Sequence, residues 1–403
     1  MASKTMAPLV APPSDNINNM SYAQVAATMN TIAKQATGLN SLTPTNTSEF
    51  VSVAQTALKA GYDPVMDAIS QVLTKTIFAI RPYYAKMRGI KKDAQRFGNH
   101  LRKLQISDRE FEDSQTVPLE DDTSVDMYRI KKPKVTQTNF YGHVICQDHY
   151  TIFTHQLDVA FTTPDEFQRF MSMVAQNMSD RIEQLNENTA RYTLGNFLGG
   201  IIAGGNALQV RHLVTEYNAF AGTALTPETV RQPDNYEHFI QWAFSTLNTT
   251  SELLTERTVR YHTNIGDKLF ARHTPRTLQK VYLYAPEINM INTMVRSSLY
   301  NESFLKFTDF ESLNFWQSID KPGELDLNVI YMDNTGTLQT ADVKQKNILG
   351  IIFDYEALGY TTVGNRMHRT PLNAAGEYYN LYYHFDHRYY NDFTENGIVL
   401  LMD

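Results

Sequence analysis

The longest regular element of this sequence lies in residues 163–198, which read TPDEFQRFMSMVAQNMSDRIEQLNENTARYTLGNFL. Thr163, Pro164 and Glu166 form a capping box with proline at the first helical position, where its missing N–H costs no hydrogen bond. Apolar residues then recur at helical spacing: Phe167, Phe170, Val174, Met178, Ile182, Leu185, Tyr192 and Phe197. We predict a helix from Pro164 to Leu198, about 50 Å long at about 1.5 Å per residue, where about 11–12 residues is usual.

Strands are predicted on both sides of this helix. Between Cys146 and Phe161 apolar and polar residues alternate, which is typical of a strand. The alternation near the C-terminus is clearer, with four apolar residues of one parity: Tyr379, Leu381, Tyr383 and Phe385. A turn at Glu395–Gly397 then leads into a last apolar strand over residues 398–402.

The long helix runs into a cluster of five glycines: Gly195, Gly199, Gly200, Gly204 and Gly205. They predict the end of the helix and a flexible turn between domains. No Lys-Ser or Lys-Thr follows them, so a phosphate-binding loop is not indicated. The region beyond is mixed helix and strand: a helix capped by Asn235, a strand over Val281–Tyr284, a helix opening at Pro286, and strands over Leu327–Met332 and Ile348–Phe353.

The N-terminal region combines an arm with helices. Helical spacing of apolar residues predicts helices over Tyr22–Ala36 and from Glu49 to Ile80. The apolar run Ala7–Ala11 ends at Pro12 and is too short for a signal peptide. No run approaches the roughly 20 apolar residues of a membrane span, so we expect a chain made in the cytoplasm that does not bind membranes.

Composition excludes several classes of protein. The chain has 403 residues, enough for two or three structural units. Its net charge of −7 lacks the basic excess of a protein that condenses nucleic acid. Its single cysteine excludes internal disulfides, zinc ribbons and iron–sulfur clusters.

No arrangement of residues points to catalysis or to a cofactor. His143, Cys146 and His149 are spaced like metal ligands, but a strand turns Cys146 away from both histidines. His384 and His387 fall on opposite faces of their strand for the same reason. Hydrolase signatures are absent from the sequence. We expect no catalytic residue, no cofactor and no metal, and hence no enzyme.

A charge-striped stretch from Arg81 to Lys134 has the most unusual composition in the chain. Its first third is basic, its middle is acidic from Asp108 to Asp126, and its end is basic again. Apolar residues are few, so we expect an extended excursion from the body of the protein. Three interpretations remain open: a solvated loop, contact with opposite charges on other copies of the chain, and nucleic-acid binding by its basic first third.

The order of these elements resembles that of the major capsid proteins of tailed bacteriophages, which have the Hong Kong 97-type fold. Two passages are similar to phage capsid sequences: LQKVYLYAPEIN at residues 278–289, and the ending from GEYYN at 376–380 to YYNDFTENG at 389–397. The resemblance spans most of the chain from about Gly61 onward. It implies an α+β fold with an N-terminal arm, an extended loop, a peripheral domain with a long spine helix, and an axial domain.

The resemblance also implies how the chain divides. Residues 1–87 would be the arm with its helices, 88–140 the extended loop, 141–203 the peripheral domain, 204–353 the axial domain, and 354–403 a return through the peripheral sheet. The extended loop of this fold overlaps the adjacent subunit, which makes its charged residues candidate subunit contacts. These are Arg88, Lys91, Lys92, Arg96, Arg102, Lys103, Glu110, Glu112, Asp113, Asp121 and Asp122.

The function implied by the resemblance is that of a structural subunit of an icosahedral shell. Such subunits form pentamers and hexamers, enclose double-stranded DNA without sequence specificity, and meet portal, scaffold or decoration proteins. The chain would then be assembled in the host cytoplasm and reside in the virion. Two alternatives stay open at this point: a cellular encapsulating-shell protein of the same fold, and an unrecognised enzyme in a mixed fold.

Overall fold

The computed structural model describes residues 22–38, 46–75, 86–93, 101–106, 127–128, 130, 135–266, 269–290 and 310–403. The helices of these residues, in chain order, are α1 (Tyr22–Thr37), α2 (Thr47–Lys59), α3 (Tyr62–Lys75), α4 (Thr154–Ala160), α5 (Pro164–Gly204), α6 (Leu213–Ala221), α7 (Pro233–Leu253) and α8 (285–290). The strands are β1 (Leu101–Ile106), β2 (Val135–Phe140), β3 (His143–Phe153), β4 (Val210–His212), β5 (Gln279–Tyr284), β6 (Glu311–Leu313), β7 (Leu325–Met332), β8 (Leu338–Gln345), β9 (Ile348–Asp354), β10 (Leu358–Arg369), β11 (Tyr378–Asn391) and β12 (Gly397–Leu401).

The chain divides into two compact units. The first consists of Met1–Lys86, Val144–Glu187 and Thr362–His387. The second consists of Met87–His143, Asn188–Thr361 and Arg388–Asp403.

The first unit packs α1–α3, α4 and the N-terminal part of α5 around a three-stranded sheet in the order β10-β11-β3. Alternate side chains of β11 are buried in its core, as its sequence predicts. The helical stretch predicted from Glu49 contains two helices, α2 and α3, which are separated at Gly61, where a φ of 110° is one that other residues rarely tolerate. Residues 76–80 of that prediction lie outside the described part of the chain.

The strand predicted from Cys146 to Phe161 is wrong in its second half. The strand ends at Phe153, and Thr154–Ala160 forms α4. Leu157, Ala160 and Phe161 are buried at helical spacing, whereas Val159 is 58% exposed although the alternation had placed it with Leu157. Because these apolar residues fit both a two-residue and a helical period, the alternation alone did not distinguish the two.

Helix α5 begins as predicted, with the Thr163 hydroxyl accepting a hydrogen bond of 3.2 Å from the N–H of Glu166. It continues six residues further than predicted, through three of the glycines. A Cβ at Gly199 would lie 2.7 Å from the Val329 side chain of β7, so Gly199 permits close packing of the helix on this strand. The helix ends at Gly204, followed by Gly205 with a φ of 69°.

The second unit contains a five-stranded sheet in the order β4-β12-β9-β5-β6. One face packs against the C-terminal part of α5 and the β7–β8 hairpin, and the other against α6 and α7. Strand β12 belongs to this sheet, whereas β10 and β11, which also lie within residues 354–403, belong to the three-stranded sheet. Helix α7 starts at Pro233, before the predicted cap Asn235, whose side chain donates to the Thr229 carbonyl at 3.1 Å. Strand β8 was not predicted.

Candidate subunit interface

Strands β1 and β2 form an antiparallel hairpin of their own within the second unit. Leu101 pairs with Phe140 at the base, and Ile106 pairs with Val135 at the other end. Side chains of directly paired residues lie on the same face, so the register sorts the hairpin into two faces. We call them the outward face, with Arg102, Leu104, Ile106 and their partners, and the inward face, with Lys103, Gln105 and their partners.

The outward face carries three exposed apolar side chains toward the end away from its base. Leu104 is 59%, Ile106 66% and Val135 51% exposed. Tyr141, just beyond β2, is also exposed. A two-stranded hairpin is marginally stable alone, and grouped apolar side chains in water commonly mark a surface that another molecule covers.

The inward face is polar and contacts the loop between β11 and β12. The Lys103 ammonium group forms salt bridges with both Asp392 and Glu395. The Gln105 side chain donates a hydrogen bond of 2.8 Å to the Thr394 hydroxyl. The hairpin therefore has the reverse of the usual arrangement, in which a sheet turns its apolar face to its own core.

A second cation completes this polar contact. The Arg272 guanidinium lies 3.4 Å from the Glu395 carboxylate and donates a hydrogen bond of 3.1 Å to the Thr394 carbonyl. Asp392 is 1% and Glu395 7% exposed, so both carboxylates are desolvated. Burial raises the pKa of Glu395 above its ordinary value, although the charges of Lys103 and Arg272 act in the opposite direction.

Lys92, a second predicted contact residue, is also engaged within its own chain. Its ammonium group donates to the Tyr355 carbonyl and lies 2.9 Å from the centroid of that ring. Burial lowers the pKa of Lys92 to about 8, although the nearby carboxylates of Glu356 and Asp354 act to raise it.

The remaining predicted contact residues are divided between described and undescribed parts of the chain. Arg88 belongs to the short 3₁₀ helix Arg88–Ile90, Lys91 forms an isolated bridge with Tyr360, and Arg102 is exposed on the outward face. Six lie outside the described residues: Arg96, Glu110, Glu112, Asp113, Asp121 and Asp122. Whether any of the eleven contacts another copy stays a prediction.

Sequence reasoning missed the apolar outward face and the acidic partners of Lys103. Leu104 and Ile106 alternate with polar residues, which is a detectable signal, but the surrounding charges dominated the interpretation. The partners Asp392 and Glu395 lie almost three hundred residues away in the sequence, and no local pattern links them to Lys103.

The histidine positions agree with the strand argument. His387 is buried and lies 2.8 Å from the Asn186 side chain, whereas the His384 ring lies on the other face, 5.8 Å from the His368 ring. Burial raises the pKa of the Cys146 thiol. Within the described residues, no three or more His, Cys, Asp or Glu side chains group in a way that could hold a metal ion.

Among the helices in the described part of the chain, none is both long enough and apolar enough to cross a bilayer.

Solved structures with the same fold come from phage particles. The chain is similar to one in the capsid structure of Staphylococcus phage Andhra, with a TM-score of 0.53 and 12% identity over 82% of this chain and 87% of that one. It is also similar to a chain in the structure of the head fibre and inner core protein of native bacteriophage P68, with a TM-score of 0.54 and 11% identity over the same shares. The fold is thus the predicted α+β Hong Kong 97-type fold of phage capsid proteins.

The family is established by a match in sequence. The model of the Phi29-like phage major capsid protein family matches residues 25–401. The chain belongs to this family and is a structural subunit of an icosahedral phage capsid, a component of the virion shell. No curated protein matches it.

Proposed function

We propose that this subunit assembles into the pentamers and hexamers of an icosahedral shell around double-stranded DNA, and that the outward face of the β1–β2 hairpin is one of its contacts with a neighbouring copy. The observation that carries the contact is the reversed hairpin, with its polar inward face on its own subunit and the apolar side chains Leu104, Ile106 and Val135 of its outward face in water. A second copy is the natural occupant, because each subunit of a closed shell is surrounded by identical subunits.

The energy available from this contact is modest for one subunit. Fully burying an exposed Leu, Ile or Val side chain contributes about 1.5–3 kcal/mol. Since Leu104, Ile106 and Val135 are about half to two thirds exposed, each would contribute roughly 1–2 kcal/mol on burial. Such a contact is weak alone and becomes strong when every subunit of a shell makes it.

Charge would set the register of this contact more than its strength. Of the eleven predicted contact residues, Lys92 and Lys103 bind groups of their own chain. The other nine would meet opposite charges on neighbouring copies, with Arg102 the described member on the outward face. The net charge of −7 is consistent with a wall that meets packaged DNA without neutralising its phosphates one by one. In this proposal the shell forms in the host cytoplasm and also binds portal, scaffold or decoration proteins.

The contact is tested by removing apolar surface without changing charge. We expect the double variant Leu104→Ser/Ile106→Ser to fold, as measured by circular dichroism, but to lose most of its shells in sizing chromatography and electron micrographs. Gln137→Ser, a polar change on the same face, should assemble like the unchanged chain.

Two outcomes would count against the proposal in different ways. Shells at undiminished yield from the double variant would show that the outward face is not a contact. An unchanged chain that stays a monomer or dimer under all conditions would contradict assembly by this chain itself.

A further inference from the structure

The described part of the hairpin is attached to its subunit at two places. At the base, the Phe140 ring lies 5.3 Å from the Tyr390 ring, and the Tyr389 N–H donates to the Gly142 carbonyl at 3.1 Å. Further out along β1, Lys103 and Gln105 bind the loop between β11 and β12. The first attachment fixes where the hairpin starts, and the second fixes the direction in which it leaves.

The receiving loop is held in place by groups that do not belong to the hairpin. The Asp392 carboxylate accepts hydrogen bonds from the Thr394 N–H at 3.0 Å and from the Thr394 hydroxyl at 2.6 Å. The Asn396 side chain donates to the Thr274 hydroxyl at 3.1 Å and lies 3.2 Å from His262 Nδ1. The loop is therefore prepared to receive an ammonium group.

The charges of Asp392, Glu395 and Arg272 are balanced when Lys103 is added to them. Asp392 and Glu395 are two buried carboxylates, and among the described residues Arg272 is the other cation that pairs with them. Without Lys103, the cluster of Lys103, Arg272, Asp392 and Glu395 would keep one uncompensated buried negative charge, which is strongly unfavourable. The loop thus favours the hairpin direction that brings Lys103 to it.

We infer that Lys103 is a positioning residue, which fixes the hairpin on its own subunit through this four-charge cluster so that the outward face is presented in one direction before a neighbour binds. The inference rests on the proposed function and adds how the contact is regulated. A hairpin that is ordered before a neighbour binds loses less conformational entropy on binding. The contact is polar on the inward side, so loss of Lys103 lets water enter there while the apolar outward face stays unchanged.

Amide hydrogen exchange on unassembled subunits tests the inference without relying on shells. Local opening determines exchange, so the peptide covering residues 101–106 should exchange about tenfold faster or more in Lys103→Met. Lys103→Arg, which keeps the charge, should retain most of the protection. Arg102→Met, a neighbouring change on the outward face, should leave exchange of this peptide unchanged.

A second readout links hairpin order to assembly. Lys103→Met should raise the subunit concentration needed for shell formation, while Lys103→Arg should need a concentration close to that of the unchanged chain. A second perturbation, Glu395→Gln, removes one carboxylate and should give a smaller increase in exchange than Lys103→Met, because Asp392 still binds the ammonium group.

Equal exchange in Lys103→Met and Arg102→Met would overturn the inference. So would an unchanged assembly threshold in a Lys103→Met subunit whose hairpin exchanges faster. If the unchanged chain forms no shells at all, the proposed function fails, yet the exchange comparison still decides whether Lys103 orders the hairpin.

Discussion

Replacing one of two glycines four residues apart in α5 should have opposite effects on stability. A Cβ at Gly200 would lie 2.5 Å from two ring carbons of Phe393 and 3.0 Å from the Cβ of Tyr331. A Cβ at Gly204 would meet nothing within 4 Å. The two substitutions to alanine therefore make the same chemical change in the same helix and differ in the space available.

The magnitudes follow from two terms. Alanine is favoured over glycine in a helix by about 1 kcal/mol, and somewhat less at the last residue. Overpacking a buried site costs about 1–3 kcal/mol, and the Phe393 ring has little room to move because it stacks on Phe197 with centroids 5.3 Å apart. We expect Gly200→Ala to lower the free energy of unfolding by up to about 2 kcal/mol and Gly204→Ala to raise it by about 0.5–1 kcal/mol.

Thermal and urea unfolding of unassembled subunits, followed by circular dichroism, measures the difference. A separation of about 2 kcal/mol corresponds to melting temperatures about 4–8 °C apart for a unit of this size. The double variant Gly200→Ala/Phe393→Leu should recover part of the loss, since it removes the ring that the new methyl group meets. Equal stability of the two single variants, or a more stable Gly200→Ala, would refute the close packing of α5 on Phe393.

Two further predictions concern the first unit. The Asp67 carboxylate accepts hydrogen bonds from Arg369, and this lowers its pKa below the ordinary value of 3.8. Its contribution is therefore present above about pH 4 and lost as pH falls through the lowered pKa, so Arg369→Gln should reduce the fall of the urea midpoint between about pH 5 and pH 3. Phe50 of α2 is fully buried with its ring 6.0 Å from that of Phe167, so Phe50→Ala should cost about 3–5 kcal/mol in urea unfolding, while exposed Gln55→Ala should change little.

Local rules were sufficient where a feature depends on neighbouring residues. The start of α5 was predicted because the capping box and the proline at its first position act within four residues. The burial of alternate β11 residues was predicted because one face of that strand lies on the core along most of its length. The Hong Kong 97-type fold followed from the order of such elements rather than from any one of them.

Features that depend on distant residues were not predicted. The glycines of α5 were interpreted as a flexible turn, because nothing near Gly199 and Gly200 in the sequence reveals that β7 and Phe393 occupy the space that a side chain there would need. The place of β12 in the five-stranded sheet is likewise a matter of pairing, with β9 on one side and β4 on the other.

The hairpin shows why a charge pattern alone is a poor guide to what a subunit presents to its neighbours. Its sequence is striped with charge, and that pattern indicated contacts between opposite charges on different copies. In the structure, Lys103 is satisfied by Asp392 and Glu395 of its own chain, and Lys92 by Tyr355 and nearby carboxylates. An ammonium group already held by buried carboxylates gains little from a second acidic partner, since leaving the first exposes a buried charge without compensation. The described hairpin leaves Leu104, Ile106 and Val135 exposed beside Arg102, so most of the attraction it offers a neighbour comes from burial, while its internal charges determine the direction in which that surface points.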